Sequence, residues 1–91
     1  MSMIAKTFDD EVAKKVGTDA AIILANIQFW VAKNQANEKH FHDGKYWTYN
    51  SVNAYVQLFS YLSKKQIQTC LDKLEKNGYI VCGNYNHSVT S

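Results

Sequence analysis

Near its start the chain places Phe8, Val12 and Val16 four residues apart, with Thr7 ahead of them, Asp10 three residues after Thr7, and Gly17 behind. That pattern predicts a brief amphipathic helix capped by Thr7 and stopped by Gly17. A second, longer helix should open at Thr18 or Asp19 and run to about Gln35, because Ile23, Leu24, Ile27, Trp30 and Val31 make one stripe at helical spacing. Ile22, Ala25 and Phe29 form another stripe roughly opposite, so this helix needs cover on two sides. Either the first short helix supplies the second cover, or another protomer does so through Ile22 and Phe29.

"NEKHFHDGK" then reads as a polar loop ending in an Asp-Gly turn, and "KYWTY" as a short strand of aromatic and β-branched residues. Asn50 or Ser51 should cap a helix in which Val52, Tyr55, Val56 and Phe59 share a face, ending near Ser60. After the link "SYL", Ser63 stands three residues before Gln66, the spacing of a capping box. Ile67, Cys70, Leu71 and Leu74 then fall within about 100° of one another on the helical wheel and form the buried stripe. Lys65, Gln68, Thr69, Asp72, Lys73 and Lys76 must face outward. Gly78 suits the left-handed position after a helix, and "YIVCGNY" resumes a strand pattern, with Ile80 and Cys82 on one face.

The expected order is short helix, long helix, strand, helix, turn, helix, strand. The fold class is therefore mostly α with a small β-hairpin or sheet, a winged helix-turn-helix. One domain over residues 1–91 is expected, with a helical arm at 1–17, the long helix at 18–37, and strand, helix-turn-helix and wing at 45–86. In that architecture the second helix of the pair enters the major groove of double-stranded DNA. Lys64 and Lys65 can neutralise phosphate, Gln68 can pair with an adenine edge, and Thr69 can touch a base or a thymine methyl. Asp72 and Glu75 sit on or beside the same row, where carboxylates repel phosphate.

Charge distribution favours the same end of the molecule. Residues 1–44 carry five Lys against six Asp and Glu, a balance of −1, whereas residues 45–91 carry five Lys against two acids, a balance of +3. All ten basic residues are Lys, so contacts to DNA must come from point charges and polar side chains rather than from guanidinium forks. With 46% hydrophobic and 20% charged residues the chain should fold, burying about 60 to 65% of its unfolded surface.

Residues 43–86, "DGKYWTYNSVNAYVQLFSYLSKKQIQTCLDKLEKNGYIVCGNYN", resemble the winged helix-turn-helix domains near the N-terminus of phage and plasmid replication-initiation proteins, the replisome organisers. The resemblance rests on "YWTYNS", "FSYLSKKQIQ" and "LDKLEKNGYIVCGNYN". It implies binding of origin DNA, with Lys64, Lys65, Gln68 and Thr69 at bases or backbone and Lys73 and Lys76 at flanking phosphates. Asn84, Asn86 and His87 would lie at the wing. The family commonly carries Arg in these places, which this chain lacks. The sequence also ends at "HSVTS", so the wing's return strand is expected to be clipped, leaving a sheet edge open.

Other chemistry finds little footing. His40 and His42 form H-x-H beside Asp43 in a polar loop without a convincing third ligand, so no metal or other cofactor is expected. Cys70 lies on an apolar stripe, and two isolated cysteines make neither a disulfide framework nor a metal site. There is no phosphate-cradling glycine loop and no nucleophile elbow, so the chain should not be an enzyme. "AAIILANIQFWVA" is interrupted by Asn26 and Gln28 and falls short of the ~20 apolar residues of a membrane span. A cytoplasmic homodimer acting in DNA replication, with other replication proteins as further partners, is the expectation. The alternatives are a transcription regulator on the same fold, or a protein-interaction module of a replisome that does not touch DNA.

Overall fold

The computed structural model describes residues 8–48, 52–83 and 86–89. In chain order the elements are α1 (Asp10–Val16), α2 (Thr18–Ala36), β1 (Phe41–His42), β2 (Lys45–Tyr46), α3 (Val52–Leu58), α4 (Lys64–Lys76), β3 (Ile80–Gly83) and β4 (Asn86–Val89). The chain is mostly helical, with two small antiparallel hairpins.

The helix α1 is capped by Asp9, not by the expected Thr7, which lies outside the described residues. The Asp9 carboxylate accepts from the backbone N–H of Glu11 at 2.8 Å and of Val12 at 3.3 Å. A carboxylate satisfies two orphan donors there and also complements the positive end of the helix. Gly17, at φ 95°, then closes α1 by donating to the Ala13 carbonyl at 2.8 Å and itself caps α2. Thr18 and Asp19 are thus inside α2 rather than caps, because a single residue of left-handed backbone joins the two helices and leaves no room for a capping side chain.

Ala20, Ala21, Ile23, Leu24, Ile27 and Val31 of α2 are buried, and α1 packs against this helix. With seven residues α1 is only ~10 Å long, whereas α2 with nineteen runs ~28 Å. It therefore covers only part of the helix. Trp30, expected in the buried stripe, is 36% exposed, and Phe29 is 58% exposed with its ring edge-on to Trp30 at 5.3 Å. The Lys33 ammonium sits 5.1 Å from the Trp30 ring centre.

The segment read as a loop contains a strand. β1 and β2 pair Phe41 with Tyr46 and His42 with Lys45 across a two-residue turn, Asp43 and Gly44, at φ 52° and 77°. Positive φ at both positions is the condition for a type I′ turn, which matches the twist of the strands it joins. Trp47 locks this hairpin: its indole N–H donates to the His42 carbonyl at 2.8 Å, and its own carbonyl accepts from the Asn34 amide on α2 at 2.7 Å. Beyond it Thr48 of the expected "KYWTY" strand pairs with His87, and Tyr49 lies outside the described residues.

In α4 the capping box is fully formed. Ser63 Oγ accepts from the Gln66 N–H at 3.1 Å while Gln66 Oε1 accepts from the Ser63 N–H at 2.8 Å. Ile67, Cys70, Leu71 and Leu74 are buried, and α4 packs against both α2 and α3, where Tyr55 is fully buried. The end of the helix is a Schellman arrangement: the Gly78 N–H donates to the Glu75 carbonyl at 3.0 Å and the Tyr79 N–H to the Leu74 carbonyl at 2.9 Å, with Gly78 at φ 80°. The Asn50 or Ser51 cap of α3 lies outside the described residues.

The return strand is not clipped. β4 pairs with β3 over four residue pairs, from Gly83 with Asn86 to Ile80 with Val89. Its other side is held by Thr48, whose N–H donates to the His87 carbonyl at 2.8 Å and whose carbonyl accepts from the His87 N–H at 3.2 Å. Ser88 Oγ donates to the Tyr46 carbonyl one residue further along. His87 therefore lies inside this joint rather than at the wing tip, with its ring centre 5.9 Å from that of Tyr55. Burial lowers the His87 pKa below its ordinary 6.5, opposed by the Glu75 carboxylate.

Two outcomes are expected in urea denaturation. Leu74→Ala should cost about 2 to 5 kcal/mol and Ser63→Ala only about 1 kcal/mol. A neutral His87 in the fold and a more basic one in the unfolded chain mean that stability is intact above the unfolded value of 6.5. It should fall as pH drops through and below that value, and His87→Gln should flatten the dependence.

Candidate nucleic-acid interface

The two hydrogen bonds at Ser63 fix where α4 begins, and the buried stripe fixes its rotation, so the outward face follows. Lys64, Lys65, Gln68, Thr69, Lys73 and Lys76 are all exposed on it. None of the four lysines has an ion-pair partner among the described residues. Lys65, Thr69 and Lys73, spaced one turn apart, share a shallow groove of about 290 Å³ with Gln66, Cys70 and Asp19.

Asp19 was not legible as a site residue. It is the second residue of α2, and only the packing of α2 on α4 brings it to this groove, where the Tyr61 hydroxyl donates to its Oδ1 at 3.4 Å. No local pattern signals that approach. One carboxylate on the wall of a groove lined by two lysines narrows the positive surface to the part of α4 away from α2.

Gln68 is not a free side chain. Its Nε2 donates to Asp72 Oδ1, one turn further along, at 3.0 Å. The Cys70 thiol on the groove floor is pushed up from its ordinary value by burial first and by Asp19 next, with Lys73 acting the other way. A thiol held protonated is a weak nucleophile. Cys82 is pushed up to about 11, by burial and then by the Glu75 carboxylate. Both cysteines are free.

Of the expected wing contacts, Asn86 opens β4 opposite Gly83, while Asn84 lies outside the described residues. At the expected dimer surface Ile22 is half-buried and Phe29 exposed, both on α2. Among the described residues no group of three or more His, Cys, Asp or Glu is placed to hold a metal ion, and no helix is long and apolar enough to cross a membrane. Compared with known proteins, the chain finds no counterpart: no family model, no curated protein and no solved structure matches it.

Proposed function

We propose that this chain is a winged-helix domain that binds double-stranded DNA, with α4 as the groove-reading helix. The observation that carries the reading is the outward face of α4: four exposed lysines without ion-pair partners among the described residues, flanking Gln68 and Thr69 on a helix whose opposite face is buried. Helix pair and hairpin are also tied into one unit. The Thr48 to His87 pairing joins the segment before α3 to β4, so that the chain entering α3 and the chain leaving α4 are held side by side. This supports a wing mounted beside the helix pair. The replication setting, initiation or its control in a phage or plasmid context within the cytoplasm, rests on the resemblance of residues 43–86 to replisome organisers. A transcription regulator would present the same face.

The rival reading, a homodimerising or replisome-assembling module without DNA contact, draws on Phe29 and Trp30, two large apolar side chains left exposed on α2. The two readings differ in which surface matters. Titration of the chain onto fluorescent random duplex DNA, with its mass in solution recorded alongside, should show binding that weakens with salt. A protomer using two to four lysines should give a log–log slope of about −2 to −4, roughly doubled for a dimer. Lys65→Glu combined with Gln68→Ala should lower affinity at least about tenfold with the fold intact. Should that pair leave affinity unchanged while Phe29→Asp abolishes self-association, the assembly reading replaces the DNA reading.

A further inference from the structure

We infer that Asp72 is a positioning residue that sets the polarity of the Gln68 amide, so that α4 selects an adenine at one position of its DNA site. This rests on the groove-reading role proposed for α4 and specifies what that helix reads. Gln68 and Asp72 lie four residues apart on the exposed face, and Gln68 Nε2 donates to Asp72 Oδ1 at 3.0 Å. An ionised carboxylate accepts hydrogen bonds and donates none, so only the NH₂ end of the amide can face Asp72. Oε1 therefore points elsewhere. What Gln68 has left to offer is one acceptor, Oε1, and the second hydrogen of Nε2.

Among the base edges of the major groove only adenine supplies the matching pair, an N6 donor for Oε1 and an N7 acceptor for the remaining N–H. Guanine presents O6 and N7, both acceptors, and thymine presents O4, so each would set an oxygen or nitrogen lone pair against Oε1. Cytosine offers its N4 donor but no acceptor for the N–H. A glutamine free to turn over could satisfy guanine or thymine by presenting NH₂ outward. Asp72 removes that freedom. Its negative charge on a face meant for phosphate also costs affinity for every sequence alike, so the discrimination comes from the fixed amide and not from the charge.

The test is selection of sites from a random duplex library with the whole chain, followed by affinities for four duplexes differing only at the position that becomes indifferent in Gln68→Ala. The unaltered chain should favour adenine there by about tenfold. Asp72→Asn, whose side chain can donate as well as accept, should accept guanine and thymine almost equally, cutting the preference to about twofold or less, while binding random duplex more tightly at low salt. Asp72→Ala should do the same, and circular dichroism should show both variants folded. If both variants bind random duplex more tightly yet keep the full adenine preference, Asp72 is only a charge and the inference falls while the DNA reading stands. Selection of no adenine at a Gln68-dependent position overturns it equally. Absence of salt-sensitive duplex binding by the unaltered chain removes the DNA reading itself, and this inference with it.

Discussion

The burial of one stripe of α4, Ile67, Cys70, Leu71 and Leu74, against α2 and α3 is the constraint on which the rest depends. A helix of thirteen residues is marginal by itself in water, and most of its stability must come from the face it buries. Once those four side chains are inside, the rotation of the helix is settled and with it the identity of every residue offered to solvent. Lys65, Thr69 and Lys73, at steps of four, then line up because 3.6 residues make a turn. The face is positive as a by-product of where the apolar residues fall, and the capping box keeps its first turn from fraying.

This part of the molecule was legible because its determinants are local. Ser63, Gln66 and Gly78 act within a few residues of themselves, and the stripe between them has a clear period. Legibility failed where distant segments decide the outcome. Trp30 has the right spacing for burial, yet it is 36% exposed, with the Phe29 ring edge-on to it and the Lys33 ammonium over its face. Asp9 takes the cap in place of the expected Thr7 because the helix begins two residues later than the apolar spacing alone suggests. β1 was hidden inside a polar stretch whose Asp-Gly turn was recognised without the two residue pairs on either side of it. Asp19 reaches the α4 groove only through tertiary packing, and the expected open edge at the end of the chain is occupied on both sides at His87.

If α4 reads DNA as proposed, its face must balance attraction against discrimination. With lysine as its only cation the chain has charge without the geometric specificity that a guanidinium provides. Geometry must then come from neutral side chains, and a neutral amide has two ends that are nearly the same size. The carboxylate beside it distinguishes them. A negative residue on a positive face is thus compatible with recognition, and a count of charges would assign it the opposite role.

The pairing of Thr48 with His87 also bears on the order in which the molecule assembles. Its partners are 39 positions apart, and both α3 and α4 lie between them. Helices draw on contacts close in sequence, whereas this joint must wait until an intervening segment of two helices has shortened the distance between its ends. The strand that bears the hairpin is therefore set into place late, on a helix pair already formed. In a chain growing from its N-terminus, the β1–β2 hairpin can close on its own, whereas α2 completes its packing only once α4 and β4 have emerged.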